Sequence, residues 1–240
     1  MYEPRTYRHW IRDVDLVSFT ATVEETDLHI RARANLEKEA LQSIRKHRRP
    51  LEDYIRKHPS FLHTLKPYPV GDDAPEIVLE MERAASIAGV GPMAAVAGAI
   101  AEAVGRDLLG YSSEIIVENG GDIFMKSLKK RHIGIFAGDS PFTGKIALEV
   151  EPGDTPLGIC TSSGTVGHSL SFGAADAVVA ISSSTALADA AATAIGNRIT
   201  DAEDIDVEIE RSGQQYGLTG LVIIKDDRIG LWGRVKLVSE

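Results

Sequence analysis

Gly89-Val90-Gly91-Pro92-Met93-Ala94 is the stretch on which the fold turns. It matches G-x-G-x-x-A, the dinucleotide fingerprint. That mechanism needs a strand to lead into the turn, so that a pyrophosphate meets the N-terminus of the next helix. The residues before it argue against this, because Glu76 to Ala88 reads as a helix. Asp72 or Asp73 is placed to cap it, Pro75 falls in its first turn and Gly89 stops it. After the glycines, Met93, Val96, Ala97, Ile100, Val104 and Leu108 recur at helical spacing and mark one buried face. Ala94, Ala95, Gly98 and Ala99 keep that second helix slim enough for another backbone to approach. What survives of the fingerprint is milder: glycines leading into a helix can hold an anion.

Working outward, Val14 to Val23 alternates as a strand, Glu24 to Asp27 is a polar turn, and Leu28 to Ala32 alternates again. Leu36, Ala40, Leu41 and Ile44 begin a helix, and Pro50 and Pro59 punctuate the chain beyond it. Downstream the chain is strand-rich: Glu114 to Val117, Ile123 to Lys126, His132 to Ala137, Lys145 to Val150, Leu157 to Thr161 and Asp176 to Ile181. A short alanine-rich helix spans Thr185 to Ile195. Gly217 to Lys225 and Arg228 to Val238 close the chain as two strands about an Asp226-Asp227 turn. Hairpins alternating with helix pairs predict an α+β fold, not a β-α-β relay.

The balance of charge narrows the partners. Of 240 residues, 43% are hydrophobic and 25% charged, and the formal net charge is -9. That balance argues against a nucleic-acid or anionic-membrane surface. The basic run Arg45 to Arg49 reads as a solvated helix face, with a local anion site or partner surface as the sharper reading. One cysteine, Cys160, excludes an intrachain disulfide and fits a reducing compartment. With no apolar leader and no apolar run of about 20 residues, the expected location is the cytoplasm, away from membranes.

Three segments carry chemistry. Ile116 to Asp122 brings a strand into Asn119-Gly120-Gly121-Asp122, where glycines let a ligand approach and Asn119 and Asp122 can hydrogen-bond it. A plain hairpin turn accounts for the same residues. Thr161-Ser162-Ser163-Gly164-Thr165-Val166-Gly167-His168-Ser169 offers hydroxyls and backbone N–H groups suited to phosphate oxygens. His168 is an acid or base near neutral pH, or a structural histidine. Gly167 to Ser171 approaches a nucleophile elbow but lacks its final glycine. In Ala188-Asp189-Ala190-Ala191-Ala192-Thr193-Ala194, Asp189 and Thr193 share one helix face as two hard oxygen ligands of the kind Mg²⁺ takes. The competing reading is an early-helix Asp favoured by the dipole, with close packing on the alanines. Cys160, at the end of an apolar strand, reads as inert core, with a nucleophile as the sharper reading.

Together these segments resemble the ApbE family, the FAD:protein FMN transferases, in order and spacing from about Gly89 to Asn197. Ala-Asp-Ala-x-Ala-Thr-Ala is similar to the family's metal motif, which makes Asp189 and Thr193 the Mg²⁺ ligands. Asn119-Gly120-Gly121-Asp122 resembles its flavin-site turn, and Ser162-Ser163-Gly164, after Thr161, its Thr-Ser-Gly stretch. His168 takes the place of its catalytic histidine. The helix from Met93 resembles the one whose start gives a carbonyl to the metal, with Ala97-Gly98 where the family carries a lysine. The segment from His168 to Gly173 is shortened and lacks the family's Asp-Pro, and residues 1–75 diverge from its usual start.

The resemblance implies one domain over 1–240, with antiparallel sheets packed on helices in a duplicated, tunnelling-fold-like arrangement. It implies FAD and Mg²⁺ as ligands, and transfer of FMN to an acceptor protein or cleavage of the pyrophosphate. The shortened motifs keep two alternatives open. One is a non-catalytic flavin or nucleotide binder. The other is a factor in sulfur assimilation and homocysteine formation, with which a small cytoplasmic branch of the family has been linked. The polar faces of the closing strands leave a homodimer open.

Overall fold

The computed structural model describes residues 15–165 and 171–239. The elements run β1 (Val17–Val23), β2 (Thr26–Ala32), α1 (Glu37–Lys57), α2 (Pro59–His63), α3 (Glu76–Ala88), a 3-10 turn (Pro92–Ala95) and α4 (Val96–Leu108). Then come β3 (Ile115–Asn119), β4 (Asp122–Lys126), β5 (Arg131–Gly134), β6 (Ile146–Val150), β7 (Leu157–Ser162) and β8 (Ala177–Ser182). The chain closes with α5 (Thr185–Gly196), α6 (Asp204–Gln215), β9 (Gly220–Lys225), β10 (Arg228–Gly233) and β11 (Leu237–Ser239). The Gly89–Ala94 turn does follow a helix: Gly89 is the left-handed C-cap of α3, φ 74°. The expected cap differs, because Pro75 itself is the N-cap and no side chain caps α3. Helix α1 also continues through Pro50 instead of stopping there, whereas Pro59 opens α2.

Among the described residues, eight strands form one sheet in the order β1-β2-β3-β4-β7-β8-β9-β10, and each neighbouring pair is antiparallel. The order shows the expected duplication. β1-β2, helices, β3-β4 is followed by β7-β8, helices, β9-β10, and the two halves join where β4 pairs β7, Ile123 opposite Ile159. A three-stranded sheet, β11-β6-β5, covers one face through Ile116, Met125, Ile133, Leu148, Ile159 and Val222. The helices cover the other face. Ile30, Val117 and Phe124 meet Ile44, Met81, Ile100 and Ala190 there, and farther along Val178 and Leu221 meet Ala188, Ile195 and Ile205. Burying two sheet faces and the helix stripes supplies the main driving force for this arrangement.

Antiparallel pairing puts four connections at one end of the large sheet. They are the turns β1–β2, β3–β4 and β9–β10, and the long connection β7–β8. There β1–β2 turns in Glu24-Glu25 alone, while its counterpart in the second half, β7–β8, inserts residues 163–176. The basic run on α1 is largely spent within the molecule. Lys46 and His47 bind the Asp107 carboxylate at 2.9 and 3.0 Å, and Arg48 binds Glu25 and Glu52 at 2.8 Å each. No single described helix is long and apolar enough to cross a membrane.

Candidate functional site

The β3–β4 hairpin is a two-residue turn of Gly120-Gly121, with Asn119 opposite Asp122. Both glycines have positive φ, 68° and 109°, which a side chain would strain. The Gly121 amide donates to Glu118 Oε1 at 3.0 Å. Side chains alternate along a strand, so Asp122 shares the helix-side face of β4 with Phe124. Asn119 reaches across to α4 and donates from Nδ2 to the Ala97 carbonyl at 3.0 Å.

On β7, Cys160 faces the helices. Ser162, two residues on, lies against Gly196 of α5, where a Cβ would be 3.4 Å from its Oγ. Thr161 points to the opposite face by the same alternation and gives its backbone to Asp122. Ser163 and Thr165 pair at 3.3 Å, and Thr165 Oγ1 donates to Asp176 Oδ1 at 3.1 Å. The Gly164 amide donates to the Ala175 carbonyl at 2.8 Å, closing the loop's neck. The Phe172 amide donates to Asn197 Oδ1 at 2.9 Å, which ties the returning limb of the loop to the end of α5.

Asp189 extends from the second turn of α5 to the first turn of α4, where its Oδ2 accepts the Gly98 amide at 2.8 Å. Gly98 makes this approach possible, since a Cβ there would lie 2.9 Å from the Asp189 Cβ. Thr193 stands one turn along the same face, half-buried. Asn119, Gly120, Gly121, Asp122, Ser162 and Asp189 therefore converge where α4 begins, β3 turns and β7 ends. Thr161 reaches this place by its main chain, and Ser163 and Gly164 lie on the loop leaving it. His168 lies outside the described residues.

The electrostatics set the place apart. Burial, with the Glu118 charge added, pushes Asp122 up to about 7, against pulls from the Cys160 thiol and the Thr161 backbone. Asp189 is pushed well above the carboxylate range by burial and by Asp122, against the Gly98 and Ala97 amides. Burial and both aspartates also raise the Cys160 thiol, which disfavours the thiolate and leaves it a poor nucleophile. Among the described residues, no Lys or Arg acts on either aspartate. Two carboxylates buried together without a cation cannot both ionise cheaply, so a bound cation would be strongly favoured.

Among the described residues no cluster of three or more His, Cys, Asp or Glu side chains is arranged to enclose a metal. The sequence singled out Asp122 and Asp189 separately, but not that burial brings them close enough to repel one another. It also left out the Ala97-Gly98 backbone as a partner of both Asn119 and Asp189. The paired small residues at the start of α4 were the available signal.

The family model described as AbpE bacteria matches residues 8–215. A UPF0280 protein of Methanocaldococcus jannaschii is 46% identical over 203 residues, covering 82% of each chain. One of Methanopyrus kandleri is 40% identical over 233 residues, covering 93% of this chain and 94% of that protein. Among solved structures, the flavin transferase ApbE from Vibrio cholerae superposes with a TM-score of 0.58 at 14% identity, covering 90% of this chain and 96% of its own. The apo form of the Pseudomonas stutzeri flavinyl transferase ApbE gives 0.57 at 13% identity, covering 90% and 93%. At that identity these two structures establish the fold. Sequence, topology and the convergence of the three segments lead to one assignment: the chain belongs to the AbpE bacteria family, within the ApbE-like superfamily.

Proposed function

We propose that the chain binds FAD with Mg²⁺ at the start of α4 and the β3–β4 turn, and acts as an FMN transferase or pyrophosphate-cleaving enzyme. The observation that carries this reading is the pair of buried aspartates, Asp122 and Asp189, with no Lys or Arg among the described residues acting on either. Asp189 and Thr193 are the residues that would hold Mg²⁺, whose charge would polarise phosphoryl oxygens when bound. Asn119 fixes the Ala97 carbonyl beside them. The Gly120-Gly121 turn brings backbone amides close to a ligand, and Ser162, Ser163 and Gly164 offer hydroxyl and N–H groups to phosphate. His168 is assigned from the sequence as the acid or base that takes the acceptor's proton. In the transfer, one P–O bond forms to the acceptor protein's hydroxyl as the P–O bond to AMP breaks, and AMP leaves.

A second reading is a flavin-nucleotide binder without catalysis, supported by Ala97-Gly98 standing where the superfamily resemblance places a lysine. Calorimetry and flavin fluorescence with FAD, with and without Mg²⁺, test the first reading. We expect Mg²⁺-dependent micromolar binding, and its loss in Asp189→Ala. AMP release then separates enzyme from binder. An absence of binding in both conditions overturns both readings and leaves the sulfur-assimilation alternative. Binding by Asp189→Ala equal to wild type removes the metal assignment.

A further inference from the structure

We propose that Glu102 is a positioning residue for this site, holding Asp189 in register with the Ala97-Gly98 backbone. The proposal deepens the metal reading and rests on Asp189 being a ligand of the cation. Glu102 lies in the second turn of α4 and is only 5% exposed, a position that charged residues avoid unless paired. Its Oε2 accepts the Thr185 amide at 2.6 Å, and its Oε1 accepts Arg106 Nε at 2.8 Å and Nη2 at 2.6 Å. Thr185 is the first residue of α5, so a carboxylate from α4 caps the N-terminus of the helix that carries Asp189.

The same two helices are joined a second time in the reverse sense. Asp189 of α5 accepts the Gly98 amide in the first turn of α4. Gly98 and Glu102 are four apart on α4, and Thr185 and Asp189 four apart on α5, so the two links lie about 6 Å, one helical turn, apart. Each helix thus caps the other's start. Two links fix both the sliding and the pivoting of α5 against α4, while with one the register at Asp189 would rest on that bond and on core packing alone.

Neighbouring groups do not replace Glu102. Ser184 Oγ caps α5 locally at the Leu187 amide, 3.2 Å, a bond that stays within α5 and its own cap. Thr185 Oγ1 is buried without a partner among the described residues. Magnesium demands near-ideal octahedral geometry, so a small displacement of Asp189 costs affinity.

The test uses the whole chain with two readouts. Mg²⁺ binding is measured by calorimetry, and exchange of the Gly98 amide is followed by NMR in metal-free protein. Glu102→Ala should weaken Mg²⁺ about 10-fold or more, the usual effect of losing an outer-shell partner. It should also speed Gly98 exchange, because the Asp189 link loosens. Glu102→Gln keeps an acceptor for the Thr185 amide and should restore both. Val222→Ala, a cavity between the two sheets, is the control for general destabilisation and should change neither. Unchanged Gly98 protection in Glu102→Ala, or equal losses in Val222→Ala, overturns the proposal. Should wild-type protein bind no Mg²⁺, the metal reading fails, and the Gly98 exchange alone decides whether Glu102 positions Asp189.

Discussion

Asp122 has a consequence that can be tested without any ligand. Burial and the Glu118 charge raise its carboxyl to about 7, whereas in the unfolded chain it titrates at about 4. Between those values the folded protein keeps a proton that the unfolded chain has released. Stability from this group therefore falls as pH rises through that window, and its slope vanishes above the folded value. Asp189 is shifted in the same direction. Asp122→Asn removes the dependence at that residue. In EDTA, its melting temperature should gain on wild type from pH 5 to pH 8. A difference that stays flat across that range would mean the carboxyl is not shifted. This charge relation was invisible in the sequence. Asn119-Gly120-Gly121-Asp122 and Asp189 were each legible as chemistry, because turn glycines and an acid on an alanine face are local patterns. Their mutual burial depends on how α5 packs against α4 and the sheet.

At the scale of elements, legibility followed the strength of the apolar period. α4 and α5 were readable because one face is continuously apolar. Helix α6 was missed because its buried line is Ile205, Glu208, Ser212 and Gly213, with only one large apolar side chain. Glu208 is buried by pairing with Arg198 at 2.7 Å, which hydropathy does not register. The expected strand from Arg228 to Val238 divides at Gly233, φ 74°, and its end crosses to the second sheet as β11, Leu237 opposite Leu148. Pro50 misled in the other direction. α1 has enough packing through Ala40, Ile44 and Leu51 to carry a residue that cannot donate to the Lys46 carbonyl. Relieving that defect should help: Pro50→Ala is expected to stabilise by about 1 kcal/mol or more, less the entropy it returns to the unfolded chain. The urea midpoint checks this, and a lower midpoint would show that the proline ring's packing outweighs the missing bond.

At the scale of the molecule, the two halves share more than the β4–β7 seam. α5 belongs to the second half, yet Ala186, Ala190 and Ala194 lie in the core of the first, and Ala188, Ala191, Ala192 and Ile195 in the core of the second. Small side chains on every side let one helix serve both. The duplicated topology came from the family resemblance, and the order of strands bears it out. No pattern in the sequence could have shown that one helix binds the halves, because alanines mark close packing without naming the neighbour. A helix with no independent core to return to should make unfolding a single event. Trp232 reports the second half, and Trp10→Phe isolates its fluorescence. Its thermal transition should coincide with far-UV circular dichroism, which reports helices and strands of both halves. Gly158→Ala probes the same joint, because a Cβ there would run into the Thr185 Cα at the start of α5. It should lower both transitions together. An early loss of Trp232 signal, with the first half's helices still folded, would show that α5 leaves the second half without unfolding the first.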